Sequence, residues 1–395
     1  MTARALVLAA HAEEATILHG ALTSRDTQLM AAGLRALGCE VAADSQTWSV
    51  QPNGAVMDER RVDCGLAGTV MRFLPPVAAL IPGTTFFDGD EHARLRPLAP
   101  LVEALAQLGV PVESAAGHLP LEVHGSADVR GGRVQIDARA SSQFVTGLLL
   151  SGCRFGDGLL LEVSSGVPSR PHIDMTVSMM RQAGLSVHES HDSWRVDPGR
   201  PRGGDVVVEP DLSNAAPFLA AALVTGGSVE IPNWPAQTDQ PGDDLRRILA
   251  ILGGEVSWQD GILRVSGGEA IHGADLDLAH AGELAPVIAA LAALADTAST
   301  LTGLSHLRGH ETDRLAALVA EIRRLGGVAE ELDDGLRIEP RPLSGTEVDT
   351  YDDHRMAQFA AVIGLSVPGV VLSDVATTAK TLPEFPQMWQ TLISR

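Results

Sequence analysis

The chain has 395 residues and a formal net charge of −21, with 50 acidic residues against 29 basic ones. That acidity argues against a nucleic-acid or anionic-membrane partner, since both need a basic face. Apolar residues make up 45%, and the length suffices for two domains with their own cores, so a disordered chain is excluded.

The opening stretch "MTARALVLAAHAEEATIL" is helical in period. From there one pattern recurs: an amphipathic helical stretch, a glycine, then a β-type run. The glycines are Gly38, Gly109, Gly184, Gly253 and Gly326, successively 71, 75, 69 and 73 residues apart. A glycine just past a helix is the expected left-handed C′ residue. A near-constant period means one supersecondary unit used repeatedly. Five complete units and half of a sixth are expected, with "FPQMWQTLIS" as the last helix. The units divide as three plus three, giving domains 1–208 and 209–395.

Within this frame several segments carry polar groups to helix starts. "CGLAGTVMRFLPPVAAL" (64–80) is a small-residue loop entering a helix, where backbone amides suit an anion. "DEHARLRPLAPLVEAL" (90–105) sets Arg94 and Arg96 before the next helix. "ASSQFVTGLLL" (140–150) brings Ser141, Ser142 and Gln143, and "PSRPHIDMT" (168–176) brings Ser169 and His172. "LAPVIAALAALA" (284–295) is apolar but too short to span a bilayer. No signal peptide opens the chain, and a cytoplasmic location is expected.

"LRGHETDRLAALVAEIRRLGG" (307–327) places His310, Glu311, Asp313 and Arg314 at a helix mouth. Thr312 or Asp313 is the candidate cap, and Glu311 and Arg314 are expected to share a helix face. A zinc motif fails there, because HExxH needs histidine where Arg314 stands. "TYDDHRMAQFAAVIGL" (350–365) holds Arg355 in a first helical turn, where the dipole disfavours a cation unless an anion is near. "ATTAKTLPEF" (376–385) contains Lys380, the only lysine. A lysine amine can be tuned to give up its proton, whereas arginine cannot. Alone, each helix start has an ordinary reading as a cap, which for 307–327 is the better one, and Lys380 alone reads as a leftover surface lysine. Together, six such starts in an acidic protein describe a site for one or two anions. Cys39, Cys64 and Cys153 are scattered, odd in number and lack a CxxC pair, so they read as small buried hydrophobes.

"GLAGTVMRF", "RLRPLAPLVEAL", "SSQFVTGLLL", "PSRPHIDMT", "RGHETDRLAAL", "YDDHRMA" and "TTAKTLPEFP" occur in an order that resembles the 5-enolpyruvylshikimate-3-phosphate synthase family. The resemblance covers nearly the whole chain. It implies an α/β, two-domain enolpyruvyl transferase fold, each domain three βαβαββ units, with the active site in the interdomain cleft. It implies transfer of the enolpyruvyl group of phosphoenolpyruvate to the 5-hydroxyl of shikimate 3-phosphate, without metal or organic cofactor. By that likeness Gly68, Arg96, Arg314, Arg355 and Lys380 match phosphoenolpyruvate positions. Arg4, Ser141, Ser142, Gln143, Ser169, His172, Glu283 and His310 match shikimate 3-phosphate positions, and Glu283, Glu311 and Lys380 match catalytic ones. A monomer acting on two small substrates is expected.

The chain departs from the family pattern in places. Leu66 stands for an asparagine, Glu283 for an aspartate, His172 for a tyrosine, His310 for a lysine and His306 for an asparagine. A glycine-serine-lysine-serine segment is missing, so a native chain with about 20–40 further N-terminal residues, enough for two strands, is expected. The alternatives are a catalytically impaired truncated homologue, the sibling transferase acting on UDP-N-acetylglucosamine, and a metal-dependent hydrolase using His306, His310, Asp353 and His354. The sibling should carry a cysteine near Arg94–Pro97, and none is there.

Overall fold

A computed structural model describes residues 1–44, 47–52, 59–164, 166–167 and 169–394. The chain divides into two compact units, Met1–Pro210 and Asp211–Arg395.

The first unit begins with α1 (Thr2–His11), β1 (Thr16–His19), α2 (Arg25–Ala36), β2 (Glu40–Ala43) and β3 (Thr47–Gln51). It continues through β4 (Glu59–Asp63), α3 (Gly68–Ala78), β5 (Gly83–Asp88), α4 (Ala99–Gln107), β6 (Val112–Ala115) and β7 (His118–Gly125). Then follow β8 (Gly132–Ile136), α5 (Gln143–Gly152), β9 (Leu159–Val163), α6 (Pro171–Gln182), β10 (Val187–Ser190), β11 (Ser193–Val196) and β12 (Gly204–Val207). These strands make three four-stranded sheets, ordered β12-β1-β3-β2, β4-β5-β7-β6 and β10-β11-β9-β8. Each joins one parallel pair to an antiparallel hairpin.

The second unit holds α7 (Ala216–Thr225), β13 (Ser228–Ile231), α8 (Leu245–Ile251), β14 (Glu255–Gln259) and β15 (Ile262–Ser266). Next come β16 (Asp275–Asp277), α9 (Ala285–Ala293), β17 (Ser299–Thr302), α10 (Arg314–Arg324), β18 (Val328–Leu332) and β19 (Gly335–Glu339). The last elements are β20 (Glu347–Val348), α11 (His354–Gly364), β21 (Val371–Leu372) and α12 (Phe385–Ile393). Among the described residues of this unit only β16-β17-β19-β18 is four-stranded; the others are β13-β15-β14 and the parallel pair β20-β21.

The fourth repeat, expected to be complete, therefore has three strands among the described residues. The reason lies in how the first sheet is made: β12 follows the third repeat in sequence and returns to pair in parallel with β1. No described strand does the same beside β13.

The repeat glycines sit where helix geometry requires them. Gly38, Gly109, Gly184, Gly253 and Gly326 follow α2, α4, α6, α8 and α10 with φ of 92°, 77°, 85°, 100° and 90°. That left-handed backbone is where a Cβ is penalised. Most of the other helices are more deeply buried still. α9 is buried at every position, as an all-apolar helix must be, and α3, α5, α7 and α11 are buried over nearly their whole length. The three cysteines are free and buried, and burial pushes the Cys39 thiol up to about 11 and that of Cys153 to about 12. Among the described residues no helix is long and apolar enough to cross a membrane.

Candidate active site

In the first unit, the small-residue loop feeds α3 at Gly68. Ala67 precedes it and offers no side-chain cap, so the first-turn amides of α3 are open to an external anion. Space at Gly68 is tight. A Cβ there would lie 2.7 Å from Arg72 Nη1, 3.0 Å from Arg96 Nη2 and 3.0 Å from Gln143 Oε1. Those side chains are linked, since Arg72 Nη1 donates to Gln143 Oε1 at 2.9 Å. Arg96 donates through Nη1 to the Leu66 carbonyl at 3.3 Å, while its buried Nε has no acceptor among the described residues. Gly68, Arg96 and Gln143 thus come together, and Arg72, buried on the body of α3, joins them. Arg94 does not: it pairs with Asp88 at 2.7 Å on the surface.

α5 and α6 lack side-chain caps as well. Ser141 Oγ accepts from the Gln143 amide at 3.2 Å, but Ser142, although buried, makes no capping bond. Ser169 lies outside the helix with φ of 52°, and Pro168 at the head of that motif lies outside the described residues. Buried Arg4 donates through Nε to Thr176 Oγ1 at 2.8 Å and through Nη2 to the His172 carbonyl at 3.1 Å. α1 and α6 therefore bring Arg4 and His172 together.

In the second unit the cap reading holds for two helices. Asp313 accepts from the Leu315 and Ala316 amides at 3.1 Å each and caps α10. Asp353 accepts from the Arg355 amide at 2.8 Å and caps α11. Helix α10 begins only at Arg314, so Glu311 is not on it. The expected shared helix face is corrected to a loop contact: Glu311 folds back to accept from Arg314 Nη2 at 2.8 Å.

Arg314 is the hub of this cluster. Its Nε and Nη2 donate to Asp353 at 2.7 and 3.1 Å, and its Nη1 meets His310 Nδ1 at 3.0 Å. Burial would weaken its charge, but Asp353 and Glu311 more than offset that and raise its pKa above the usual range. Lys380, on a short 3-10 turn (Ala376–Lys380), donates directly to Glu311. One carboxylate is thus held between the lysine amine and a fixed guanidinium.

Arg355 is buried in the first turn of α11. Its Nη1 and Nη2 donate to the Ser213 carbonyl and hydroxyl at 2.9 and 2.7 Å, and Nη1 also reaches Gln358 Oε1 at 3.1 Å. Burial lowers its pKa; Asp211, Glu283 and Asp353 act in the opposite sense. Glu283 stands in a 3-10 turn (Gly282–Leu284) ahead of α9 and acts electrostatically on both Arg314 and Arg355. His354 is buried beside these cations. Desolvation first, then Arg355 and Lys380, push its pKa well below the usual histidine range, so it stays neutral.

Arg72, Thr176, Ser213 and Gln358 also join these clusters without having been singled out in the sequence. Arg72, Thr176 and Gln358 lie within the polar helix-start segments, and Ser213 lies ahead of α7. Among the described residues no group of three or more His, Cys, Asp or Glu side chains is arranged to hold a metal ion.

The sequence profile of EPSP synthase (3-phosphoshikimate 1-carboxyvinyltransferase) matches residues 1–389. The chain belongs to the EPSP synthase family. A 3-phosphoshikimate 1-carboxyvinyltransferase from Kocuria rhizophila is 51% identical, over 100% of this chain and 91% of that protein. EPSP synthase from Acinetobacter baumannii superposes with a TM-score of 0.81 at 22% identity, covering 99% of this chain and 93% of the other. The enolpyruvyl transferase NikO from Streptomyces tendae does so with a TM-score of 0.75 at 16% identity, covering 99% and 92%. At these identities the structural matches establish the two-domain enolpyruvyl transferase fold.

Proposed function

We propose that this chain transfers the enolpyruvyl group of phosphoenolpyruvate to the 5-hydroxyl of shikimate 3-phosphate, releasing phosphate. The observation that carries the chemical reading is the contact of Lys380 with Glu311, which Arg314 also holds. Phosphoenolpyruvate becomes electrophilic at C2 once C3 is protonated. An acid near C3 with an amine on the same hydrogen bond can deliver and recover that proton. Glu311 and Lys380 take these parts. Glu283 accepts the proton of the attacking hydroxyl, and the tetrahedral adduct then expels phosphate. Gly68, Arg96, Arg314 and Arg355 bind phosphoenolpyruvate, with the uncapped α3 amides and the guanidiniums suited to phosphate and carboxylate. Arg4, Ser141, Ser142, Gln143, Ser169, His172 and His310 bind shikimate 3-phosphate. The family membership favours this substrate over UDP-N-acetylglucosamine. The same reading makes the chain a cytoplasmic monomer.

The test is phosphate release from phosphoenolpyruvate with and without shikimate 3-phosphate. Release should require both, and Glu311→Gln and Lys380→Met should each abolish it. Release independent of shikimate 3-phosphate would refute the assignment.

A further inference from the structure

Glu321 lies on α10, ten residues beyond Glu311, and is fully buried. Such a carboxylate needs partners. It has three: the Tyr351 hydroxyl donates to Oε1 at 2.7 Å, the Asp349 amide to Oε2 at 3.2 Å, and Arg324 Nη2 lies 3.3 Å away. Two of the three belong to the loop between β20 and α11. That loop is strained. Tyr351 and Asp352 have φ of 52° and 53°, both left-handed and neither glycine. Two successive residues there are strained and persist only where surrounding contacts over-determine them. The contacts are on hand. The Tyr351 amide donates to Asp349 Oδ1 at 2.9 Å, the Asp353 amide to the Thr350 carbonyl at 2.8 Å, and the Thr350 amide to Ser373 Oγ at 3.0 Å. The next residue is Asp353, which caps α11 at Arg355 and grips Arg314 with both oxygens.

We propose that Glu321 and Tyr351 are a positioning pair for phosphoenolpyruvate, holding the left-handed turn that sets Asp353 and, through it, Arg314 and Arg355. The inference rests on the assignment of those two arginines to phosphoenolpyruvate. Neither member of the pair is among the residues proposed to bind substrate. Tyr351 is the only tyrosine in the chain, so its ionisation can be followed by absorbance without interference from another phenol. Burial, then the bond to Glu321, pushes its pKa up to about 12.

The experiment uses the 395-residue chain with Tyr351→Phe, Glu321→Gln and the double variant. Tyr351→Phe deletes one hydroxyl and keeps the ring. It should raise the KM for phosphoenolpyruvate roughly tenfold, the scale of one hydrogen bond to a charged group. The KM for shikimate 3-phosphate should stay within twofold, and the double variant should be no worse than the poorer single one. Tyrosine absorbance should titrate at lower pH in Glu321→Gln than in the parent. An unchanged KM for phosphoenolpyruvate in Tyr351→Phe overturns the proposal, as does a tyrosine titration that Glu321→Gln does not move. Arg355→Ala separates the two levels. If it leaves the KM for phosphoenolpyruvate intact, the arginine assignment fails and the inference falls with it; if it raises that KM while Tyr351→Phe does not, only the inference fails.

Discussion

Replacing Asp353 with asparagine tests whether the arginine hub depends on a charge or only on a shape. Asp353 is fully buried and serves two ends at once: it caps α11 through Oδ1 and takes two Arg314 donors. Asparagine is as good a cap as aspartate, so the helix start should survive. The pair with Arg314 should not. An amide nitrogen in place of Oδ2 would set a donor against Arg314 Nε, at a contact now 2.7 Å long. Removing one partner of a buried ion pair costs about 3–5 kcal/mol. Glu311 still holds Arg314 at 2.8 Å, which places the expected loss at the lower end, about 3 kcal/mol. Alanine loses the cap as well, and should cost about 1 kcal/mol more than asparagine. Native-state hydrogen exchange on peptides covering α10 and α11 reads the opening free energy of this unit separately from the first. The α3 and α5 peptides should be unchanged. A loss below about 1 kcal/mol for asparagine would refute the argument, since the pair would then be no more than a surface one. Equal losses for asparagine and alanine would refute the capping part alone.

Three further outcomes follow from the same contacts. Lys380→Arg keeps the positive charge but cannot exchange a proton, so kcat should fall by about 10²–10⁴ while the KM for phosphoenolpyruvate moves little, as steady-state phosphate release will record. Gly68→Ala should raise the KM for phosphoenolpyruvate at least about tenfold without unfolding the chain, because the added methyl meets only the far ends of Arg72, Arg96 and Gln143; kinetics alongside a thermal melt checks both halves. His11 is buried against Ser151 Oγ at 3.1 Å, and desolvation, with Arg154 and Arg200, lowers its pKa to about 3. The unfolded chain takes up that proton near pH 6.5 and the folded one does not, so stability is lost as pH falls from 6.5 towards 3. The loss is roughly 2 kcal/mol by pH 5, and urea unfolding of His11→Gln should lack that component.

What was legible in the sequence is what depends on neighbours along the chain. The repeat could be read because a helix C′ residue needs φ > 0, and five glycines met that need at a near-constant period. Helix starts at Gly68, Gln143, Arg314 and His354 could be read because polarity gives way there to an apolar face. The missing information is long-range. Asp353 stands at a helix start, where it caps α11, but the arginine it grips lies 39 residues away. Glu321 reads as one more charge near two arginines on an amphipathic helix; only the fold shows its bond to Tyr351, 30 residues on. The short fourth sheet is of the same kind, since strand count depends on which distant segment returns to β13. Arg355 shows both sides of this limit. Its place in a first helical turn was a local oddity, a cation where the dipole opposes one, and so pointed to compensating anionic groups. The structure supplies part of that compensation from Asp353, Asp211 and Glu283, residues that only the tertiary fold gathers. A charge that local electrostatics disfavours is supported in part by distant groups. Such residues are therefore the ones to search for first when a site must be read from sequence alone.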